Sequence, residues 1–260
     1  MPLRLGFDLD GVLADMEGEL VRQAEDLFGE AMTRRLLEGP PTANVDVRLT
    51  ADTTGTAAID TDTTNAADAD GAVENDPGIV KLQMTSRQTR RLWRHIETIE
   101  NFWESLDENE PGAISKLAAL VADRRWEVIF LTKRPRSAGW TAQVQSQRWL
   151  QSKGFALPSV FVVQGNRGLI AAALDLDFVV DDRPENCLDV VVDSKARAIL
   201  VWRDDEKQLP AAARRLGIGV VKTVDECLNI LSQVDVPGAE QSGIVDRVMR
   251  LLGLKEPAKV

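Results

Sequence analysis

Residues 3–15 read Leu-Arg-Leu-Gly-Phe-Asp-Leu-Asp-Gly-Val-Leu-Ala-Asp, a short apolar run that ends in closely spaced carboxylates. The first part, Leu3–Asp10, predicts a central β-strand, because strands that are buried on both faces are nearly continuous apolar runs. Asp8 and Asp10 are two positions apart, and side chains at that spacing on an extended chain project to the same side. The stretch therefore predicts a strand end that presents two carboxylates to one ligand.

Two further apolar runs, Glu127–Thr132 and Phe178–Asp182, also end in polar residues, and strand-like runs alternate with helical patterns over the rest of the chain. The other runs are Ser159–Val163, Ala198–Trp202 and Gly219–Thr223. Such alternation predicts an α/β fold, a Rossmann-like parallel sheet with helices on both faces. Ligands of such sheets bind beyond the carboxyl ends of the strands, where the three polar strand ends would meet.

A long interruption separates the first strand from the others and predicts an inserted helical cap. Asp15–Glu38 and Val80–Leu106 have helical spacing of apolar residues, whereas residues 40–78 are rich in Thr, Ala, Asp, Gly and Asn. A segment so poor in large apolar side chains cannot offset its ordering entropy, so we expect a mobile, low-complexity insertion. The expected division is a catalytic core of residues 1–14 and 110–235, a cap of residues 15–109, and an amphipathic tail helix within residues 236–260.

Composition narrows the function classes. The net charge of −10 and the pI near 4.8 argue against stable nucleic-acid binding and against binding to anionic membranes. One histidine and two cysteines without metal-binding spacing exclude a multi-histidine metal site and most Ser-His-Asp schemes. The N-terminus lacks the apolar core of a signal peptide, and no apolar run approaches the ~18 residues of a membrane span. We therefore expect a cytoplasmic monomer or homodimer.

The residues at the three strand ends suit phosphoryl transfer. Asp8 can attack phosphorus to form an aspartyl phosphate, and Asp10 can protonate the leaving oxygen and then activate water. Gly11 permits a sharp turn that brings backbone N–H groups toward the phosphate, and Thr132 can hold a phosphate oxygen. Carboxylates clustered around a phosphate need a hard cation, so Asp8, Asp10, Asp181 and Asp182 predict a Mg²⁺ site.

The chain resembles the haloacid dehalogenase superfamily of phosphohydrolases at three motifs. The first motif is similar to Phe7-Asp8-Leu9-Asp10-Gly11-Val12-Leu13-Ala14-Asp15, the second to Leu131-Thr132, and the fourth to Val179-Val180-Asp181-Asp182. The resemblance spans roughly residues 1–14 and 110–230. It implies a nucleophile at Asp8, an acid/base at Asp10 and a phosphate ligand at Thr132. It also implies that Asp8, the Asp10 carbonyl and Asp181 bind Mg²⁺, with Asp182 as a direct or indirect partner. Residues 101–106 and 111–113, together with 132–135 and 181–184, look like its 5'(3')-deoxyribonucleotidase-like branch.

One departure concerns the superfamily's third motif, which normally supplies a lysine. The equivalent stretch here, Gly165-Asn166-Arg167-Gly168-Leu169-Ile170, has Arg167 at the expected place. Arginine keeps the charge but has a different reach and a planar fork. Lys133 or Arg134, beside Thr132, could supply the cation instead.

The function that these patterns predict is hydrolysis of a small phosphomonoester, with a nucleotide as the leading substrate class. The alternatives are a weakly active or inactive relative that binds a phosphorylated ligand or partner, and a phosphotransferase. Four cap residues, Trp93, His95, Phe102 and Trp103, are candidates for contact with the substrate, and packing in the core is the other interpretation of them.

Overall fold

A computed structural model describes residues 2–38 and 82–234 of the chain. The expected low-complexity insertion at residues 40–78 and the expected tail helix within residues 236–260 lie outside the described residues. Among the helices of the described ranges, none has both the length and the apolar composition that a membrane crossing needs.

Six parallel strands of the described chain form one sheet, which confirms the predicted fold class. They are β1 (Arg4–Asp8), β2 (Glu127–Thr132), β3 (Ser159–Val162), β4 (Phe178–Asp181), β5 (Arg197–Val201) and β6 (Gly219–Val221). Their order is β3-β2-β1-β4-β5-β6, so β1 lies in the centre between β2 and β4. The strand order reverses direction at β1, and in open α/β sheets ligands bind at that point.

Nine α-helices and two 3₁₀ turns occupy the rest of the described chain. The α-helices are α1 (Met16–Phe28), α2 (Glu30–Glu38), α3 (Ser86–Thr98), α4 (Ala113–Arg124), α5 (Ala142–Ser152), α6 (Arg167–Ala173), α7 (Pro184–Asp193), α8 (Ala211–Arg215) and α9 (Val224–Val234). The 3₁₀ turns are Phe102–Glu104 and Glu206–Gln208. The expected helical segment at residues 80–106 is thus one helix followed by a short 3₁₀ turn.

The strands are buried on both faces, and alternate residues belong to different halves of the core. Phe178 and Val180 of β4 pack into a core with α4, α5, α9 and the cap helices, whereas Val179 packs with α6 and α7. Successive side chains of a strand point to opposite faces, so helices cover both sides of the sheet. This burial explains why the strand sequences are almost continuously apolar.

The cap helices α1, α2 and α3 share the larger core with the sheet. Leu20 and Ala24 of α1 and Leu92 and Ile96 of α3 are fully buried, at the helical spacing that the sequence predicts. The side chain of Asp15 caps the start of α1 by accepting a hydrogen bond from the Gly18 N–H.

The chain leaves the core and returns to it along two paired segments. Ala14 forms an antiparallel bridge with Glu108, the Asp15 N–H donates to the Asp107 carbonyl, and the Asn109 N–H donates to the Leu13 carbonyl. The side-chain amide of Asn109 also donates to the Ala14 carbonyl, at 3.0 Å. The chain therefore leaves the sheet and returns to it at one place, directly beyond the end of β1.

Candidate active site

The end of β1 places the two predicted carboxylates at the centre of the sheet. The observed strand ends at Asp8, two residues earlier than predicted, because the chain turns at Gly11 with φ +84°. Only glycine adopts this conformation at little energetic expense. A Cβ atom at Gly11 would also collide with the carboxylate of Asp182, so this glycine allows β1 and the end of β4 to approach closely.

Asp8 is paired with Arg167, the residue that stands in place of the expected lysine. Nη2 of Arg167 lies 2.5 Å from Oδ1 of Asp8, and Nε lies 3.7 Å from Oδ2 of Asp181. Arg167 is only 2% exposed. One guanidinium thus reaches the carboxylates of two adjacent strands, which its planar fork permits.

The start of α6 fixes the position of Arg167. Asn166 caps the helix by accepting from the Leu169 N–H, and its amide donates to Asp193 of α7 at 2.8 Å. Gly168 lies against the backbone of Asp189 so closely that a Cβ atom there would overlap it. The contact between the two helices therefore directs Arg167 into the site.

Asp10 is paired with the second predicted cation, Arg134. Nε of Arg134 donates to both oxygens of Asp10, at 2.8 and 3.1 Å, and the Thr132 hydroxyl donates to Oδ2 of Asp10 at 2.8 Å. Both Thr132 and Arg134 are buried. The structure therefore places these two predicted phosphate ligands against Asp10.

Asp181 and Asp182 differ in their surroundings. Asp181 is fully buried, and it accepts from the Arg183 N–H at 2.9 Å and from the side-chain amide of Asn186 at 3.0 Å. Asp182 follows directly, and its Oδ1 is buried with no hydrogen-bond donor among the described residues. Within the described residues, Asp181 thus has hydrogen-bond donors for its carboxylate, whereas Oδ1 of Asp182 has none.

Burial is the main reason why the pKa values of Asp8, Asp181 and Asp182 are raised. Burial raises the pKa of Asp8 well above its usual value, and the charges of Asp181, Asp182 and Asp10 add to that effect against the opposing influence of Arg167. Burial also raises the pKa of Asp182 to about 7, with Asp181 as the next cause. The pKa of Asp181 is raised by burial and lowered by Arg167. The site carries more negative charge than its two buried arginines offset.

A cavity of about 110 Å³ opens at this edge of the sheet. Asp8, Asp10 and Asp182 face it, together with the half-buried Lys133. Within residues 2–38 and 82–234, no carboxylate pairs with the Lys133 ammonium. The remaining lining residues are Gly11, Met16, Glu17, Arg134, Arg167, Arg183 and Asn186.

The donor set fits Mg²⁺, which binds to proteins through one or two carboxylates and keeps waters or phosphate oxygens as its other ligands. Asp8 and Asp182 line the cavity, and the buried Oδ1 of Asp182 lacks a donor among the described residues. The carboxylates of Asp10 and Asp181 are held by protein donors. The described ranges contain no cluster of three His, Cys, Asp or Glu side chains arranged to hold a metal ion, so an ion at Asp8 and Asp182 would need backbone carbonyl, water or phosphate oxygens as its other ligands.

All of the predicted site residues lie at the same sheet edge, although Thr132 and Asp181 are not among those that line the cavity. Sequence reasoning missed Asn186, which holds Asp181, and also Met16 and Glu17, which bring the cap to the cavity. Asn186 lies in the first turn of α7, the helix that follows Asp181, and a side-chain amide at that position could have indicated a donor to the Asp181 carboxylate.

Of the four aromatic candidates of the cap, Phe102 and Trp103 are fully buried, and Trp93 and His95 are partly buried. Phe102 and Trp103 are fully buried and pack edge to face, which supports the interpretation as core residues. His95 lies 3.0 Å from the side chain of Gln23 on α1. Trp93 is partly buried against the core.

No protein-family model and no curated protein sequence matches this chain. Similar solved structures include a hydrolase from Pseudomonas syringae, with a TM-score of 0.47, 18% identity, and coverage of 89% of this chain and 99% of the other. A candidate β-phosphoglucomutase from Thermotoga maritima has a TM-score of 0.46 and 17% identity, with coverage of 89% and 99%. A HAD hydrolase of family IA, variant 3, from Entamoeba histolytica has a TM-score of 0.43 and 14% identity, with coverage of 95% and 99%. At these values the similarities do not assign a reaction to this chain.

Proposed function

We propose that the protein is a Mg²⁺-dependent phosphohydrolase that removes phosphate from a small phosphomonoester through an aspartyl phosphate at Asp8. The observation that carries the proposal is the pairing of Asp8 with the buried Arg167 beside a cavity that Asp10, Asp182 and Lys133 also line. These residues come from four distant stretches of the chain. The motif resemblance to the haloacid dehalogenase superfamily supports the same reaction.

In the first step an oxygen of Asp8 attacks phosphorus and the bond to the leaving oxygen breaks. Arg167 orients the attacking carboxylate through its hydrogen bond to Oδ1 of Asp8. Asp10, two residues along and facing the same cavity, gives its proton to the leaving oxygen as that bond breaks. A phosphoryl group remains on Asp8.

In the second step water attacks the aspartyl phosphate. Asp10 accepts a proton from the water as the new P–O bond forms, and the bond between phosphorus and Asp8 breaks. Inorganic phosphate leaves, and both carboxyl groups return to their starting state. Lys133 lies where it can bind the non-transferred phosphate oxygens, because it lines the cavity and no carboxylate of the described residues holds it.

Asp8 and Asp182, with the carbonyl of Asp10, are the groups that would hold Mg²⁺. The ion supplies positive charge that lets a carboxylate approach a phosphate dianion. The raised pKa values of Asp8 and Asp182 support this role, since burial and, after it, the charge of neighbouring carboxylates disfavour the ionised forms, which a bound cation would stabilise.

The substrate class is proposed to be a small phosphomonoester, with nucleoside monophosphates first among the candidates. The cavity of about 110 Å³ accommodates a phosphate group and little beyond it, so the organic part of the ester would extend toward Met16 and Glu17 of the cap. A cap that closes over the ester would exclude water during the first step.

The test uses the purified full-length chain with p-nitrophenyl phosphate and a panel of nucleoside monophosphates, sugar phosphates and short phosphoacids. We expect release of phosphate that requires Mg²⁺ and is abolished in Asp8→Asn. Asp123→Asn is the matched control, because this exposed aspartate lies on α4 and pairs only with Arg124 among the described residues. Activity that survives Asp8→Asn would refute the proposal.

The second candidate function is binding of a phosphorylated ligand without turnover. This function is favoured because both oxygens of the Asp10 carboxylate already accept hydrogen bonds, from Arg134 and from the Thr132 hydroxyl. Mg²⁺-dependent binding of a phosphate ester, measured by calorimetry, together with no turnover across the panel would support this second function over hydrolysis. Transfer of phosphate to an added alcohol would instead indicate a phosphotransferase.

A further inference from the structure

The guanidinium of Arg134 contacts the side chains of Asp10 and Ser146. Nε and Nη2 face Asp10, with Nη2 2.8 Å from Oδ1, and Nη1 donates to the Ser146 hydroxyl at 2.9 Å. The side chain of Arg134 is fully buried. Nε and Nη1 therefore form hydrogen bonds to Asp10 and Ser146, whereas the buried Nη2 has an ion-pair contact with Asp10 but no hydrogen bond among the described residues.

Two tryptophans hold the guanidinium in place. Its central carbon lies 5.0 Å from the ring centre of Trp103 and 5.5 Å from that of Trp149, within the range of a cation–π contact. Each indole is itself anchored, because Trp103 Nε1 donates to the Pro135 carbonyl and Trp149 Nε1 donates to the Leu106 carbonyl. The two indole rings that contact the Arg134 guanidinium are therefore themselves fixed in orientation.

From this geometry we propose that Arg134 is a positioning residue that sets the orientation of the Asp10 carboxylate for proton transfer, and that Trp103 and Trp149 fix Arg134. The inference rests on the proposed hydrolase function and goes beyond it by giving Arg134 a role other than phosphate binding. A lysine could supply charge at this place, but it could not donate to Asp10 and Ser146 at once through a planar fork.

The consequence is specific to the two proton transfers. An unsupported Asp10 is misplaced relative to the leaving oxygen and the water, whereas the attack by Asp8 still has Arg167 beside it. p-Nitrophenolate leaves without help from an acid, so its release in the first step needs Asp10 little. An alkyl phosphate has a strongly basic leaving oxygen and needs the proton in the first step.

The experiment compares wild type, Arg134→Met and Arg134→Lys with p-nitrophenyl phosphate and with an alkyl phosphate, in steady-state and rapid-mixing measurements. Arg148→Met is the matched control. Arg148 also stacks on a tryptophan, 4.6 Å from the Trp140 ring centre, but it is half-exposed and lies away from Asp10.

We expect Arg134→Met to lower kcat for the alkyl phosphate by about 10²-fold, the loss typical of a misplaced catalytic group. With p-nitrophenyl phosphate it should release p-nitrophenolate in a burst that equals the enzyme concentration and then turn over slowly, because the second step still needs Asp10. Arg134→Lys should give a smaller change of the same kind. Arg148→Met should behave as wild type.

The outcomes separate the possible failures. A folded Arg134→Met or Arg134→Lys variant that loses rate equally on both substrates, without a burst, overturns the positioning role. If Arg134→Met does not fold, as its melting curve would show, Arg134→Lys decides by the ratio of the two kcat/KM values. An inactive wild type refutes the proposed function itself, which is a different result from an active wild type with unchanged variants.

Discussion

Nη2 of Arg167 donates a hydrogen bond of 2.5 Å to Oδ1 of Asp8, although the two residues are 159 positions apart in the chain. Of the three cations that the sequence offered for this place, Arg134 instead pairs with Asp10, and Lys133 lines the cavity. Arg167 therefore occupies the place where the resemblance implies a lysine. The second contact, from Nε toward Asp181, is one that a lysine could not make at the same time.

Substitutions of Arg167 test whether this arginine does the work that the resemblance assigns to a lysine. Arg167→Met should lower kcat by about 10²–10³-fold, the loss typical of one missing electrostatic donor in an active site. Arg167→Lys should lose less, since it keeps the charge and one donor. Phosphate release at saturating substrate measures both. Arg34→Met, which removes an exposed ion pair on α2, is the control, and full activity in Arg167→Met would contradict the assignment.

The raised pKa of Asp182, about 7, predicts how stability depends on pH. The folded protein holds this proton more tightly than the unfolded chain, whose aspartates titrate near a pKa of about 4. Without divalent cations, the contribution of Asp182 to stability should therefore fall as the pH rises from about 4 to about 7 and change little above that. Melting temperatures in a chelating buffer measure the slope, which should be smaller in Asp182→Asn.

Mg²⁺ should act in the opposite direction. At the proposed site the ion would bind the ionised carboxylates of Asp8 and Asp182, so the rise in melting temperature on adding MgCl₂ should be larger at pH 8 than at pH 5.5. NaCl at equal ionic strength is the control. A shift that does not depend on pH, or none at all, would argue against metal binding by these residues.

Gly11→Ala should be harmful for two separable reasons, a positive φ and a collision with Asp182. Gly112→Ala shares the positive φ but has open space around the new methyl group, so it isolates the backbone effect, about 1 kcal/mol. Gly165→Ala has neither problem. Denaturant unfolding should rank the losses Gly11→Ala first and Gly165→Ala last, and only Gly11→Ala should abolish activity.

Arg203 holds the turn that follows β1. Its guanidinium donates to the carbonyls of Gly11 and Val12, at 2.5 and 3.1 Å, and pairs with Glu110 at 2.8 Å. Glu110 in turn accepts from the backbone at the start of α9. Arg203→Met should lower the free energy of unfolding by about 1.5–3 kcal/mol, the range for hydrogen bonds to a charged group.

The measurement for Arg203 is chemical denaturation, followed by a phosphatase assay at a temperature where the variant is folded. Arg203→Lys should recover part of the loss because it keeps one donor near the turn. Equal stability of Arg203→Met and wild type would show that the turn does not depend on this clamp.

Much of the fold could be predicted because β1, β2 and β4 are apolar runs that end in polar residues, and burial on both faces requires such runs. The exact end of β1 could not be predicted, since the apolar pattern does not show that the strand stops at Asp8, before the turn at Gly11. The grouping of Asp8, Asp10 and Asp182 at one cavity followed from the parallel sheet. The residues at the first motif were therefore the most informative part of the sequence.

The partners of Arg134 were beyond prediction. Its side chain meets Asp10, Trp103 and Trp149, which are brought together by the sheet, a 3₁₀ turn and α5. No local spacing links these positions, so the pattern around Thr132 indicated a cation near the site but not what it binds. The sequence allowed Trp103 to be a core residue or a substrate contact, and neither interpretation predicts its contact with Arg134.

The paired segments at residues 13–15 and 107–109 begin and end the cap at a single point. A change in the length of the chain between them therefore need not shift the register of β1 against β2. An exchange of helices α1 to α3 that keeps residues 102–106 would retain the contacts of Trp103 and Leu106 that hold Arg134 and Trp149, and would alter the side of the cavity that Met16 and Glu17 form.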